Sequence, residues 1–179
     1  MPYYTRAGDA GKTGICDQNR ISKASQRIAA IGDVDELNSV IGLCRTICKD
    51  SQIDEILGHV QNGLFVLGSD LAAPLDSRSK AVRMDKGQTE RLEKDIDDIM
   101  LDVGELQNFI LPSGTELAVR LHFTRSLCRR AERAVCTLAE KEKINPADLP
   151  YINRLSSLLF VLARLANKRA DVKDVEWKK

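Results

Sequence analysis

The sequence has few aromatic residues and almost no excess charge. Aromatic side chains make up 4% of its 179 residues, and the formal net charge is +1. A chain so close to neutral has no overall field that attracts nucleic acid, so any anion site must be a local cluster of basic residues. The sequence also lacks a secretory leader and any run of about 18 apolar residues. We therefore expect a cytoplasmic protein with no membrane span and no nucleic-acid partner.

The cysteines follow no metal-binding or disulfide pattern. They are odd in number, without a CxxC pair or zinc-finger spacing, at Cys16, Cys44, Cys48, Cys128 and Cys136. Since most of them lie within apolar helical patterns, we expect reduced thiols in the core of a cytosolic protein.

Apolar residues recur at helical spacing over most of the chain and predict five helices. The predicted segments are residues 26–49, 53–73, 88–101, about 115–142, and a last helix from 148 onward. No β pattern is evident. We predict an all-α fold with a single domain, residues 1–179: a flexible N-terminal segment, 1–25, and a helical bundle, 26–179, with a four-helix core plus one helix.

The last predicted helix has more apolar surface than the others. Leu155, Leu159, Leu162 and their neighbours make it apolar around more than half of its circumference. A monomeric bundle does not need to cover so much apolar surface, so this pattern predicts a homo-oligomer.

The segment TRAGDAGKTG, residues 5–14, contains half of a nucleotide-binding motif. A P-loop needs Gly, four residues and then Gly-Lys-Ser/Thr, but the first glycine would fall on Arg6. Three glycines in ten residues would still allow a flexible loop whose amides and hydroxyls wrap an anion. Taken alone, the segment fits a disordered, polar start of the chain better.

Three arginines one helical turn apart give the strongest local signal, in RSLCRRAER, residues 125–133. Arg125, Arg129 and Arg133 form a row on the predicted helix, with Glu132 beside Arg129. Like charges in a line repel one another, so a phosphate chain or carboxylates would suit this row. The alternative is a solvated basic face with intramolecular salt bridges.

Three other features are candidate site elements, each with a structural alternative. In DVDELNS, residues 33–39, Asp35 is a suitable partner for an arginine, although the segment also fits surface polarity. Asn153 would orient a ligand near the start of the last helix, or form a capping or inter-helix hydrogen bond. Phe109 precedes a Leu-Pro-Ser-Gly turn, where an aromatic residue more often closes the end of a bundle than contacts a ligand.

In their order along the chain, these segments resemble the PduO-type ATP:corrinoid adenosyltransferases, also called cob(I)alamin adenosyltransferases. The matching segments are YTRAGDAGKT (4–13), RISK (20–23), GDVDELNSVIG (32–42), FILPSGT (109–115), LCRRAER (127–133) and YINRLSSLLF (151–160). Several separate motifs in one order are more specific than any one of them. The resemblance implies a five-helix bundle assembled as a homotrimer, with active sites between subunits.

The resemblance also implies a reaction and its ligands. Cobalt(I) of reduced cobalamin or another corrinoid attacks the ribose 5′ carbon of ATP, which yields the adenosylated corrinoid and triphosphate, with Mg²⁺ as cofactor. A corrinoid reductase and a B12-dependent acceptor enzyme are implied as partners. The alternative from another class is a non-catalytic trimer that binds ATP or adenosylcobalamin as a carrier or regulator.

Site residues follow from the resemblance by position. Contacts to ATP fall on Thr5, Arg6, Gly8, Gly11, Thr13, Gly14, Lys23, Arg129, Arg130, Glu132, Arg133 and Asn153. Contacts to the corrinoid fall on Asp35, Phe109 and Arg125, which with Arg129 form the implied catalytic set. Asp35 and Arg125 are implied to pair across the subunit interface. Phe109 is implied to displace the lower axial ligand of cobalt(II), while the protein ligands of Mg²⁺ stay unassigned.

The sequence departs from the family pattern in four places. Ile31 replaces a common aromatic residue, residues 16–19 replace a more glycine-rich turn, Thr124 replaces a small apolar residue, and Ser157 replaces a frequent Asp. None of these positions is assigned to ATP or to cobalt. We expect them to affect substrate preference more than activity.

Overall fold

Five helices make up most of the chain. The structure is a computed structural model that describes residues 3–16 and 20–178. Its helices are α1 (Gln26–Arg45), α2 (Ser51–Leu71), α3 (Lys86–Val103), α4 (Glu116–Ala139) and α5 (Asp148–Arg169). The predicted number of helices and the helical fold class are confirmed, with helix ends that differ from the predicted ones by a few residues. Three of the four residues of the unusual turn, 17–19, lie outside the described part of the chain.

Side chains cap the beginning of the first four helices. The capping residues are Ser25, Asp50, Asp85 and Thr115. The last of these accepts a hydrogen bond from the backbone N–H of Ala118. Helix α5 has no side-chain cap, because its N-cap is Ala147 and Asp148 lies inside the first turn.

Helix α5 lies at the centre of the bundle. It packs against α2, α3 and α4, and residues 161–167 are all buried. One chain therefore covers the wide apolar surface of this helix. The reason given above for a homo-oligomer was wrong, and any assembly must rest on other surfaces. No helix among residues 3–16 and 20–178 is long and apolar enough to cross a membrane.

Two short strands near the N-terminus contradict the expectation of no β structure. Strand β1 (Lys12–Gly14) pairs antiparallel with β2 (Arg20–Ser22), with Thr13 opposite Ile21. The backbone N–H of Cys16 donates to the carbonyl of Ala72 at 3.0 Å, which fastens this hairpin to the end of α2. Three-residue strands are too short to show a period-2 pattern in a polar, glycine-rich sequence.

After α5 the chain runs back beside the segment that precedes α4. The backbone N–H of Trp177 donates to the carbonyl of Phe109 at 2.7 Å, and that of Leu111 donates to Val175 at 2.8 Å. The buried Asn167 connects the two segments, because its side-chain amide donates to Ser113 and to Asp174, each at 3.1 Å. The C-terminal segment, residues 171–178, thus holds the backbone around Phe109.

All five cysteines are free, but only some of them lie in the core. Cys44 and Cys128 are buried, and burial raises the pKa of the Cys128 thiol to about 12. Cys16 and Cys136 are exposed, on the N-terminal loop and on the solvent face of α4. The prediction of core thiols was therefore wrong for these two.

A buried pair of carboxyl groups joins the end of α2 to the start of α5. Asp70 accepts hydrogen bonds from the Met84 backbone N–H at 2.7 Å, Asn145 at 2.6 Å and Arg83 at 2.6 Å. Asp148 is 1% exposed. Burial, with the nearby carboxylate of Asp70, raises the pKa of Asp148 to about 7.

Asp148→Asn should therefore stabilise the protein at alkaline pH. Between the ordinary carboxyl pKa of 3.8 and about 7, the folded protein holds a proton that the unfolded chain has lost. The free energy of unfolding of the wild type therefore falls as the pH rises from about 4 to about 7 and stays lower above it, whereas an amide cannot ionise. We expect the variant to gain on the order of 1 kcal/mol or more at pH 8.5, and little at pH 4.

Urea unfolding of both proteins from pH 4 to pH 8.5 measures this difference. The exposed Asp76 provides a matched control, and Asp76→Asn should follow the wild-type curve. Parallel pH curves for the wild type and Asp148→Asn would contradict a shifted Asp148.

Candidate functional site

Residues 5–11 form two tight turns and residues 12–14 continue as strand β1; residues 5–14 together are called the N-terminal loop below. The backbone N–H of Asp9 donates to Arg6, and that of Gly11 donates to Gly8, each at 3.2 Å. Arg6 and Gly11 adopt positive φ angles of 59° and 75°. The structure thus gathers in one loop the predicted ATP contacts Thr5, Arg6, Gly8, Gly11, Thr13 and Gly14. The predicted flexibility of this segment stays a prediction.

Lys23 lies against this loop. Its backbone N–H donates to the Gly11 carbonyl at 2.8 Å. A Cβ added to Gly8 would lie 3.1 Å from Nζ of Lys23. The ammonium group therefore lies close to the loop backbone at a position that has no side chain. Lys12, which completes the P-loop-like sequence, lies instead in strand β1 with an exposed side chain.

The arginine row predicted on α4 is present, and α5 packs beside it. Nη1 of Arg129 lies 3.8 Å from Oε2 of Glu132, whose other oxygen accepts a 2.7 Å hydrogen bond from Asn153 of α5. Arg133 is exposed one turn further along α4. Three predicted ATP contacts, Arg129, Glu132 and Asn153, therefore lie in one connected group.

Arg130 points to a different neighbour. Its guanidinium contacts the carboxylate of Glu36 and lies 3.8 Å from Asp33 of α1. The alternative of intramolecular salt bridges thus describes this arginine. The charge of Arg130 is thus already paired with carboxylates of α1. The assignment of Arg130 to ATP stays a prediction.

Asp35 and Arg125 lie on different sides of the bundle. Asp35 is exposed and lines a groove of about 350 Å³ between α1 and α2, together with Ile31 and Phe65. The guanidinium of Arg125 stacks on the ring of Phe160 of α5, with its Cζ 5.5 Å from the ring centroid. Among the described residues these two side chains form no ion pair with each other.

Phe109 is 80% exposed, so it does not close the end of the bundle. It lines a cleft of about 640 Å³ with Leu106, Gln107, Asn108 and Trp177. Trp177 was not predicted from the sequence as a residue of this cleft. The only signal was the alternation of Val175 and Trp177, which is too short to predict a strand partner.

A sequence profile of cobalamin adenosyltransferases matches residues 3–166 of this chain. The chain belongs to this family. The resemblance drawn from the separate motifs is confirmed over nearly the whole of the chain.

Two relatives and one solved structure show how close this adenosyltransferase is to other members. A cobalamin adenosyltransferase of Cupriavidus metallidurans is 44% identical over 176 residues, which cover 98% of this chain and 93% of the relative. A corrinoid adenosyltransferase of Mycobacterium tuberculosis is 38% identical over 174 residues, covering 94% and 90% of the two chains. A variant PduO-type ATP:corrinoid adenosyltransferase of Lactobacillus reuteri, complexed with cobalamin and ATP, superposes with a TM-score of 0.94 at 37% identity, covering 99% and 100%.

Carboxylates that could bind a metal ion are dispersed in this adenosyltransferase. Among residues 3–16 and 20–178, no group of three or more His, Cys, Asp or Glu side chains is placed to hold a metal ion. Mg²⁺ commonly keeps several waters and binds nucleotide phosphates with only one or two carboxylates.

Proposed function

We propose that this adenosyltransferase transfers the 5′-deoxyadenosyl group of ATP to cobalt(I) of a reduced corrinoid, at a site between two subunits. The observation that carries the proposal is the connected group of Arg129, Glu132 and Asn153 on the helices. Together with the glycine-rich loop and Lys23, this group would supply the two sides of a triphosphate site. The free thiols fit a reducing cytoplasm as the place of action.

The arginines and Lys23 would act on the leaving group. Triphosphate departs as a concentrated negative charge, so cations fixed where that charge grows lower the barrier. Mg²⁺ bound to ATP oxygens would neutralise part of the same charge. Glu132 is the carboxylate in the group with Arg129 and Asn153. No general base is required, because cobalt(I) is already a strong nucleophile. The protein needs only to align the cobalt with the ribose 5′ carbon and exclude water.

The cleft beside Phe109 would receive the corrinoid. Backbone hydrogen bonds to the C-terminal segment fix the position of Phe109 while its ring stays exposed. An exposed ring on a fixed backbone can occupy the lower axial face of cobalt and exclude a ligand there. The indole of Trp177 would form a second wall of this site.

Two exposed aromatic residues support a homotrimer. Phe65 is 75% exposed beside the groove of Asp35, and Phe123 is 59% exposed on α4, two residues before Arg125. When one surface of a subunit contacts a different surface of the next subunit, the contact is head-to-tail. Such contacts close into a ring when the rotation between neighbouring subunits permits. The Asp35 side of one subunit would then meet the Arg125 side of the next.

Charge exchange tests this contact. Asp35→Arg and Arg125→Asp should each weaken assembly by about 2 kcal/mol or more, because each places like charges together. The double variant should recover much of the loss, since the pair is restored with reversed polarity. Sedimentation velocity, with circular dichroism as a control for folding, measures both effects. A double variant no better than the single ones would contradict the pairing.

Lys23 and Lys12 distinguish this ATP site from a P-loop. Lys23→Ala should raise the ATP KM about tenfold or more, because a charge-assisted contact is lost. Lys12→Ala, the matched control in the neighbouring strand β1, should change KM less than about threefold. Steady-state assays with varied ATP measure both variants, and the reverse order of effects would favour the P-loop interpretation.

The reaction itself is tested by mixing the protein anaerobically with ATP, Mg²⁺ and chemically reduced cobalamin. We expect the corrinoid absorbance to change to that of adenosylcobalamin, with release of triphosphate. Binding without turnover would instead support the carrier or regulatory alternative. Adding a corrinoid reductase and a B12-dependent acceptor enzyme would then show whether they act as partners.

A further inference from the structure

We infer that Arg20 is a positioning residue for ATP, which holds the loop of residues 5–14 in its binding form without contacting the nucleotide. The inference rests on the proposed ATP site and adds a residue that the family resemblance did not assign. Arg20 begins strand β2 and lies opposite Gly14 in the hairpin.

One guanidinium nitrogen of Arg20 joins both arms of the loop. Nη2 donates to the carbonyl of Ala7 and to that of Lys12, the latter at 2.9 Å. These carbonyls stand on either side of the turn between Gly8 and Gly11. Arg20 therefore joins the residue before the turn, Ala7, to the residue after it, Lys12. The pairing of β1 with β2 holds only the residues after the turn.

The bond to Ala7 orients the peptide group that carries the N–H of Gly8. Every described peptide bond is trans, and in a trans peptide the carbonyl and the following N–H point in opposite directions. With its carbonyl turned toward Arg20, this peptide directs the Gly8 N–H away from that guanidinium. Lys23 approaches the same glycine. An oriented amide and an ammonium group at one position are suited to a phosphate oxygen.

A residue that acts in this way affects binding by pre-organisation. Without Arg20, the Ala7 carbonyl loses its hydrogen bond to the hairpin. ATP must then order the loop when it binds, and this ordering reduces the free energy of binding. We expect Arg20→Ala to raise both the Kd and the KM for ATP about tenfold, with kcat at saturating ATP changed less than about twofold. Arg91→Ala, which removes an exposed arginine from α3, is the matched control.

Two readouts separate positioning from direct contact with phosphate. Arg20→Lys keeps the charge, but an ammonium group does not reproduce the planar guanidinium, so it should restore little ATP affinity. The salt dependence of the ATP Kd should be the same in the wild type and Arg20→Ala, because no cation leaves the phosphates. Full recovery in Arg20→Lys, or a weaker salt dependence in Arg20→Ala, would overturn the inference in favour of a direct contact.

The final measurement needs no ATP. Endoproteinase Lys-C cleaves after Lys12, and Arg20→Ala leaves all lysines in place. In nucleotide-free protein we expect this cleavage to be about threefold faster in Arg20→Ala than in the wild type and in Arg91→Ala. Equal cleavage rates, or an unchanged ATP Kd in Arg20→Ala, would overturn the inference. Faster cleavage in a protein whose wild type does not bind ATP would instead reject the proposed ATP site and retain the role of Arg20 in the loop.

Discussion

Replacing Arg129 with alanine is expected to lower kcat/KM for ATP about 10- to 150-fold. The change removes charge-assisted hydrogen bonds worth roughly 1.5 to 3 kcal/mol. The guanidinium is half-exposed, and its 3.8 Å contact with Glu132 is longer than a hydrogen bond, so it is free to reach a ligand. We expect both a higher KM and a lower kcat, because negative charge on the triphosphate increases in the transition state.

Steady-state assays with saturating cob(I)alamin and varied ATP separate the two parameters. Arg91→Ala controls for the loss of an exposed arginine and should leave both parameters within about twofold. If Arg129→Ala keeps wild-type kinetics, this residue is not part of the ATP site.

Replacing Phe109 with alanine should affect turnover according to the oxidation state of the corrinoid supplied. Starting from cob(II)alamin with a reductant, we expect a loss of at least about tenfold, because the lower axial ligand is no longer displaced and cobalt(II) is harder to reduce. Starting from pre-reduced cob(I)alamin, we expect less than about threefold, since this step is bypassed. The 80% exposed ring on a fixed backbone is the structural basis for this difference.

The two assays use the same protein, ATP and Mg²⁺ concentrations and differ only in the reduction step. Leu101→Ala removes another exposed apolar side chain, at the end of α3, and should leave both rates near the wild type. Equal losses in the two assays would reject the role of Phe109 at the axial position.

The helices could be predicted from the sequence because their signals are local. Apolar spacing located all five of them. Where structure depends on distant pairing, prediction failed. The C-terminal segment meets the Phe109 segment from more than sixty residues away, as with Leu111 and Val175. Likewise, a pattern cannot tell whether a helix that is apolar around more than half of its circumference, such as α5, is covered by its own chain or by a partner.

In the candidate site, too, local features could be predicted and distant contacts could not. Helical spacing predicted the arginine row, and the structure places Arg129, Glu132 and Asn153 together. Sequence spacing did not show that Arg130 turns to Glu36 on another helix, nor that Trp177 lines the cleft. These contacts depend on how the helices and the C-terminal segment pack, which no local pattern contains.

The hydrogen bonds of Asn167 also bear on how fast a bulky substrate can enter. They bind the Phe109 segment to both the C-terminal segment and the start of α4, where the Thr115 backbone N–H donates to Asn167 at 2.9 Å. A backbone held on both sides cannot swing aside, so the cleft adapts through rotation of the exposed ring. Rotamer changes of exposed side chains take picoseconds to nanoseconds, whereas loop motions take nanoseconds to microseconds. If the corrinoid enters the cleft past Phe109 as proposed, we expect its entry to require rotation of this ring and no movement of the backbone.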